Sequence, residues 1–129
     1  MVSRPRSILI IEDDLDLRRL LVKFLASEDY DVRVADNVAN AMTELFNGVR
    51  FDLAIVDFWL GSETAVSVID RIYGELPNLP FIVISGGNDV MDLELTQAIA
   101  DISGAISFLQ KPFTKSAFMK VVGAALRAN

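Results

Sequence analysis

The sequence of 129 residues contains no cysteine and no histidine. Without cysteine the chain cannot form a disulfide or a thiolate metal site, and without histidine it lacks the commonest general base. No apolar run approaches the roughly 20 residues of a membrane-spanning helix, and residues 1–6 do not begin a secretory signal. These absences predict a cytoplasmic protein whose chemistry depends on carboxylates, hydroxyls and amines.

Positive charge is also scarce, because 12 Lys and Arg face 18 Asp and Glu, for a formal net charge of -6. This excess repels a phosphate backbone and argues against direct nucleic-acid binding. A hydrophobic content of 52% is sufficient for a core without cross-links. The length predicts a single domain over residues 1–129, with residues 1–6 as a flexible N-terminal tail.

Short apolar segments alternate with segments of helical periodicity along the chain. Residues 7–12, 30–35, 51–57, 81–85 and 105–110 are rich in β-branched or aromatic residues, which predicts five strands. Apolar spacing predicts helices around 17–25, 38–46, 63–73 and 118–125, the last capped at Thr114, and a less regular helix within 86–104. This alternation indicates an α/β fold with a parallel sheet between two helical layers.

Polar residues follow the carboxyl ends of the predicted strands, which meet at one edge of such a sheet. They are Glu12, Asp13 and Asp14 after the first strand, Asp57 at the end of the third, Ser85 at the end of the fourth and Lys111 after the fifth. Each has an ordinary explanation, such as a helix N-cap at Asp14 or Asp16, or a turn residue at Asp57. If these explanations were correct, all four would have to coincide at the ends of four different strands. A functional cluster is the simpler interpretation.

These side chains are the groups that phosphoryl transfer requires. Crowded carboxylates recruit a cation, and with oxygen ligands the expected ion is Mg²⁺. Transfer also needs an in-line nucleophile and a cationic clamp, for which Asp57 and Lys111 are the candidates. The Ser85 hydroxyl would donate a hydrogen bond to a phosphoryl oxygen.

The motifs ILIIEDDLDLRRLL, LAIVD, VISGG and FLQKPF together resemble the receiver domain of two-component response regulators, in the family's order and over nearly the whole chain. The resemblance implies a doubly wound, flavodoxin-like (βα)5 sandwich of three layers with strand order 2-1-3-4-5. It also implies a set of site residues. These are Asp57 as phospho-acceptor, Ser85 as switch hydroxyl, Lys111 as phosphoryl-binding lysine, Phe108 as aromatic switch, and Asp13, Asp57 and the Trp59 carbonyl as Mg²⁺ ligands, with Glu12 acting through water.

The same resemblance implies a signalling switch, which catalyses its own phosphorylation and dephosphorylation but is not otherwise an enzyme. A sensor histidine kinase or phosphotransfer protein would supply the phosphoryl group to Asp57. Ser85 and Phe108 would then move inward and reshape the face formed by the fourth helix, fifth strand and fifth helix. That face would bind an output protein or domain, and a homodimer is compatible with the family.

Several features depart from the family's pattern. Gly61 occupies a position where proline is common, and Ala65 one where glycine is common. Trp59 is predicted to shield the acyl phosphate from water, with loop packing or partner contact as the alternative role. The segment between Ser85 and Lys111 is longer than usual, which predicts an unusual output surface.

Three other functions fit the sequence less well. A flavodoxin-like or nucleotide-binding module would have a Gly-, Ser- or Thr-rich phosphate loop where this chain has EDDLD. A phosphatase with an aspartate nucleophile would carry a second acidic residue at the position of Trp59. The strongest alternative is a pseudo-receiver, a phosphorylation-independent protein-interaction module, which predicts no Mg²⁺ binding.

Overall fold

The structure, a computed structural model, describes residues 4–86, 94, 97–98, 100–101, 104 and 107–127. Its regular elements are β1 (Arg6–Ile11), α1 (Leu15–Leu25), β2 (Tyr30–Ala35), α2 (Val38–Leu45), β3 (Leu53–Asp57), β4 (Trp59–Leu60), β5 (Glu63–Thr64), α3 (Val66–Glu75), β6 (Phe81–Ser85), β7 (Ser107–Gln110) and α4 (Lys115–Arg127). Residues 94, 97–98 and 100–101 are helical as well. The rest of the helix predicted within 86–104 lies outside the described residues.

Five parallel strands form the main sheet in the order β2-β1-β3-β6-β7. Counted along this sheet alone, the order is 2-1-3-4-5, as predicted. Strands β3 and β6 are buried throughout, as expected of central strands covered on both faces. The predicted α/β architecture is therefore confirmed.

Two hydrophobic clusters lie on opposite faces of the sheet because successive strand residues point to opposite sides. In β1, Leu9 and Ile11 pack with residues of α2 and α3, whereas Ile8 and Ile10 pack with residues of α1 and α4. This arrangement gives the three predicted layers. No helix in the described part of the chain is long and apolar enough to cross a membrane.

Side-chain caps begin two helices where the sequence predicts them. Asp14 accepts hydrogen bonds from the backbone N–H groups of Asp16 at 2.9 Å and Leu17 at 3.2 Å, so it is the N-cap of α1. The hydroxyl of Thr114 likewise accepts from the N–H of Ala117 at 3.0 Å. Both caps lie just beyond the sheet edge that carries the polar cluster.

The segment after β3 differs from the prediction of a helix over residues 63–73. Trp59–Leu60 and Glu63–Thr64 pair as an antiparallel hairpin, and α3 therefore begins only at Val66. The N–H of Ala65 donates to the carbonyl of Phe58 at 2.8 Å, which closes the base of this hairpin. The prediction was wrong here because two residue pairs are too short to produce a recognisable strand pattern.

Two described residues of the predicted tail of residues 1–6, Arg4 and Arg6, are attached to the sheet. Arg6 is the first residue of β1, and Arg4 forms two hydrogen bonds of 3.2 Å with the carboxylate of Asp52. Asp52 also accepts from the backbone N–H of Ser7 at 2.7 Å. Burial raises the pKa of Asp52, but the Ser7 N–H and the Arg4 side chain outweigh this effect and hold the pKa below its usual 3.8.

Replacing Asp52 with Ala is expected to lower the free energy of unfolding by about 1–3 kcal/mol, because it leaves the buried Ser7 N–H without an acceptor. The exposed Arg4 side chain adds little to this loss. Since folding lowers the pKa of Asp52, its stabilising effect is complete above pH 3.8 and is lost as the pH falls below that value. Urea unfolding measures both effects, and Asp70→Ala, at an exposed site in α3, is the control. Equal losses in the two variants would contradict this role.

Candidate functional site

The carboxyl ends of β1, β3, β6 and β7 lie at the same edge of the sheet because the strands are parallel. Glu12 and Asp13 follow β1, Asp57 ends β3, Ser85 ends β6, and Lys111 follows β7. The structure brings Glu12, Asp13, Asp57 and Lys111 into one cluster. Most of these residues are far apart in the sequence, and the parallel arrangement of the strands brings them together.

Three carboxylates converge in this cluster. Glu12, Asp13 and Asp57 each offer an oxygen, and these oxygens all lie within 4.8 Å of one another. Glu12 and Asp57 are buried, with 1% and 3% of their surface exposed, whereas Asp13 is exposed. Carboxylates so close together repel one another and favour a cation between them.

Lys111 provides the positive charge of the site. Its Nζ lies 2.5 Å from Oδ2 of Asp57 and 3.3 Å from Oε1 of Glu12. Burial would lower the pKa of this lysine, but the hydrogen bond and charge of Asp57 and the charge of Glu12 outweigh burial and raise the pKa. Its backbone N–H donates to the carbonyl of Ser85 at 2.8 Å, and the peptide bond to Pro112 is cis. Lys111 is therefore charged and fixed beside the Asp57 carboxylate.

Glu12 is held mainly by the backbone around it. Its Oε2 accepts from the N–H of Asp14 at 3.2 Å, and its own N–H donates to the carbonyl of Ala35 at 3.0 Å. Among the described residues, its buried Oε1 accepts no well-aligned hydrogen bond, although Nζ of Lys111 is near. Burial, followed by the hydrogen bond and charge of Asp57, raises the pKa of Glu12 to about 8. Burial is therefore the main reason why the ionised form of Glu12 is disfavoured.

Two backbone N–H groups of the β4–β5 hairpin bind the other two carboxylates. The N–H of Trp59 donates to Oδ1 of Asp57 at 2.9 Å, and the N–H of Gly61 donates to Oδ2 of Asp13 at 2.9 Å. The guanidinium of Arg18 also donates to the carbonyl of Glu12 at 2.9 Å. The contacts of Gly61 and Arg18 were not predicted from the sequence. For the Gly61 contact the sequence offers one signal, a glycine at a position where proline is common. For the Arg18 contact it offers none.

The predicted switch residues lie on β6 and β7, and Trp59 lies in the hairpin that follows Asp57. Ser85 is fully buried at the end of β6, next to Gln110 of β7. Phe108 is partly buried and packs against the cluster formed with α2 and α3. The Trp59 side chain is 43% exposed and meets the ring of Phe58 edge-on, with 5.1 Å between ring centroids. Most of the helix that would complete the predicted output face lies outside the described residues.

The residues present fit a magnesium ion. The donors are all oxygens, three carboxylates oppose a single lysine, and a buried oxygen of Glu12 lacks a well-aligned donor in the described part of the chain. Mg²⁺ prefers such hard oxygen ligands, and it retains several waters that can reach less direct ligands. The cluster is therefore a candidate Mg²⁺ site that includes Asp57.

Comparisons with known proteins identify a matching family model and several relatives. Residues 8–123 match the family model described as the response regulator receiver domain. The chain is 35% identical over 120 residues to the DNA-binding transcriptional regulator NtrC of Bradyrhizobium sp. (strain RP501 Parasponia), covering 93% of this chain and 24% of that protein. It is 28% identical over 126 residues to the regulatory protein VirG of Agrobacterium tumefaciens (strain 15955), covering 96% and 45%. This chain spans less than half the length of either relative.

Solved structures show the same fold. The receiver domain of NtrX from Brucella abortus is 27% identical, with a TM-score of 0.84 over 95% of this chain and 99% of that one. A CheY-like response regulator receiver domain protein from Methanospirillum hungatei JF-1 has a TM-score of 0.86 at 18% identity, covering 97% and 96% of the two chains. The second similarity concerns the fold alone.

Proposed function

Because the chain belongs to the response regulator receiver domain family, we propose that it accepts a phosphoryl group from a phosphohistidine onto Asp57 and thereby changes its surface. The donor is a sensor histidine kinase or a phosphotransfer protein in the cytoplasm. The observation that carries this proposal is the contact of 2.5 Å between Lys111 Nζ and Asp57 Oδ2 within a cluster of three carboxylates. The chain acts as a switch whose own residues promote the gain and loss of the phosphoryl group.

In this reaction one oxygen of Asp57 attacks phosphorus, and the P–N bond of the donor histidine breaks as the new P–O bond forms. The Trp59 N–H binds Oδ1 of Asp57 and so orients the carboxylate. Lys111 moves from the carboxylate to an oxygen of the transferred group and balances the charge that gathers there. The departing histidine nitrogen takes its electron pair and a proton from solvent.

Magnesium, when bound, neutralises the negative charge of the acidic cluster and of the incoming phosphoryl oxygens. Asp13, Asp57 and the backbone carbonyl of Trp59 would hold it directly, and Glu12 through water. The convergence of the Glu12, Asp13 and Asp57 oxygens within 4.8 Å of one another supports this assignment. Asp14 is not proposed as a ligand, because its carboxylate does not join the group formed by Glu12, Asp13 and Asp57 and instead caps α1.

Phosphorylation of Asp57 would add negative charge at the end of β3. This strand pairs with β6, which in turn pairs with β7. The acyl phosphate attracts the Ser85 hydroxyl, and the half-buried Phe108 occupies the space that Ser85 leaves. The surface around β7 and α4 then favours an output protein or domain, and binding of that partner in turn favours the phosphorylated state. The relatives named above carry additional length, so this output can belong to the same polypeptide or to another one.

Hydroxylamine trapping tests the acceptor assignment directly. The chain is phosphorylated with acetyl phosphate and Mg²⁺, treated with hydroxylamine, digested and analysed by tandem mass spectrometry. An acyl phosphate on Asp57 is converted to a hydroxamate at that residue, which the peptide masses locate. A hydroxylamine-resistant phosphate on Ser85, or on any other hydroxyl residue, would contradict the proposal.

Replacing Trp59 with Asn is expected to accelerate hydrolysis of the acyl phosphate a few-fold, less than the tenfold change that about 1.4 kcal/mol produces. The proposed reason is that the partly exposed indole, carried by the residue whose backbone N–H binds Asp57, limits the approach of water. The decay of the phosphorylated chain is followed by intact mass after removal of the donor. Tyr73→Asn, which removes another exposed aromatic side chain on α3, is the control. An unchanged decay rate for Trp59→Asn would refute the shielding role.

A further inference from the structure

We infer that Gly61 is a positioning residue for the metal site, because its backbone N–H holds the Asp13 carboxylate in place for Mg²⁺. The inference rests on the proposed function, since it assigns a role at the same site. The contact joins residues 48 positions apart, with 2.9 Å between the Gly61 nitrogen and Oδ2 of Asp13. A proline, common at this position in the family, has no N–H and could not make this contact.

Asp13 needs such a support because of where it lies. It follows β1 on the exposed side of the cluster, whereas Glu12 and Asp57 are buried and held by their surroundings. A free carboxylate there would sample several rotamers and would lose that freedom when it bound a metal. A carboxylate has about four acceptor positions, so a single N–H donor leaves capacity for an ion. The Gly61 contact therefore restricts the rotamers of Asp13 but leaves acceptor positions of its carboxylate available for an ion.

The hairpin that carries Gly61 is itself anchored. Phe58 and Leu60 are 2% and 3% exposed and belong to the core cluster on the α2–α3 face. The Phe58 N–H donates to the carbonyl of Ile84 at 2.8 Å, which attaches the start of the hairpin to β6. The same hairpin orients Asp57 through the N–H of Trp59. One rigid element therefore fixes both the acceptor and the exposed metal ligand.

Glycine is required at this turn by the backbone. Gly61 has φ of 66° and is the first of two residues between the paired Leu60 and Glu63. Glycine is the preferred residue at the first central position of a type II′ turn, where φ is positive. Space is not the constraint, because the nearest atom to an added Cβ, Oδ2 of Asp13, would be 3.9 Å away. The turn directs the N–H toward Asp13.

Substitution by proline removes both the donor and the positive φ. We expect Gly61→Pro to raise the dissociation constant for Mg²⁺ about 10- to 100-fold, the usual effect of losing a residue that orients a metal ligand. Titration with MgCl2 alone, followed by the fluorescence of Trp59, the single tryptophan of the chain, measures the constant. Gly61→Asn, which keeps the N–H and tolerates a positive φ, is expected to restore most of the affinity.

The matched control is Gly48→Pro. Gly48 also has a positive φ, 92°, and nothing lies within 4 Å of an added Cβ. It follows α2, away from the acidic cluster, so its substitution is expected to leave Mg²⁺ affinity unchanged. Equal affinities for wild type and a folded Gly61→Pro variant would overturn the inference while leaving the proposed function intact. Absence of Mg²⁺ binding by the wild-type chain would overturn both.

A second measurement on the unaltered chain decides the question even if Gly61→Pro does not fold. The amide resonance of Gly61 is followed by ¹H–¹⁵N correlation spectroscopy during the MgCl2 titration. Because its N–H is bonded to a metal ligand, we expect it to shift and to saturate with the dissociation constant that Trp59 fluorescence reports. A Gly61 resonance that stays unchanged while Mg²⁺ binds would overturn the inference.

Discussion

An Asp57→Asn variant is expected to take up no phosphoryl group from acetyl phosphate and Mg²⁺, whereas the wild-type chain takes up one. The amide lacks the negative oxygen that attacks phosphorus, and it also removes one charge from the acidic cluster. Intact mass spectrometry of the two chains under identical conditions measures the difference. We expect complete loss, because within the described part of the chain the other carboxylate near Lys111 is that of Glu12, which is only 1% exposed.

The control for this variant is Asp70→Asn, at an exposed aspartate of α3 away from the site. It is expected to be phosphorylated like the wild type. Folding of Asp57→Asn is checked by thermal unfolding, and it should be retained because the substitution relieves repulsion between Asp57 and Glu12. A phosphoryl adduct that persists in a folded Asp57→Asn variant would show that the acceptor is another residue.

A Lys111→Met variant is expected to accept the phosphoryl group about 10²- to 10³-fold more slowly, as for the loss of one group that stabilises developing charge. The methionine keeps the length of the apolar stem but removes the ammonium that lies 2.5 Å from Asp57. The rate is measured from the time course of the intact-mass adduct. Mg²⁺ should bind more tightly to this variant, because no lysine competes for the carboxylates.

The opposite directions of these two effects distinguish them from loss of folding, which would weaken both. Lys120→Met provides the control, since Lys120 is an exposed lysine on α4. Its transfer rate and Mg²⁺ affinity should match the wild type. An unchanged transfer rate in Lys111→Met would show that this lysine does not assist the transfer. Weaker Mg²⁺ binding would contradict competition between Lys111 and Mg²⁺ for the carboxylates.

The main sheet and its functional edge follow from patterns that the sequence displays directly. Strands β3 and β6 are continuous apolar runs because both faces are buried, and α1 and α4 have side-chain caps at Asp14 and Thr114. Given a parallel order, Asp57 and Lys111 must lie at the same edge, although they are 54 residues apart. Pattern and topology together were sufficient for the cluster.

The hairpin after Asp57 could not be predicted in the same way. It contains two residue pairs, and its site contacts come from backbone N–H groups, which do not depend on side-chain identity. The Arg18 contact depends on how α1 packs beside β1, and no local pattern encodes it. Residue types therefore locate the charged groups, while the chain path that orients them depends on tertiary packing.

We propose that Mg²⁺ and Asp57 together make this chain a phosphoryl acceptor. The most direct test is the intact mass of the wild-type chain after incubation with acetyl phosphate, with Mg²⁺ and after its removal by a chelator. We expect one phosphoryl group with Mg²⁺ and none without it. Absence of an adduct together with no detectable Mg²⁺ binding would contradict this proposal and favour a phosphorylation-independent protein-interaction module.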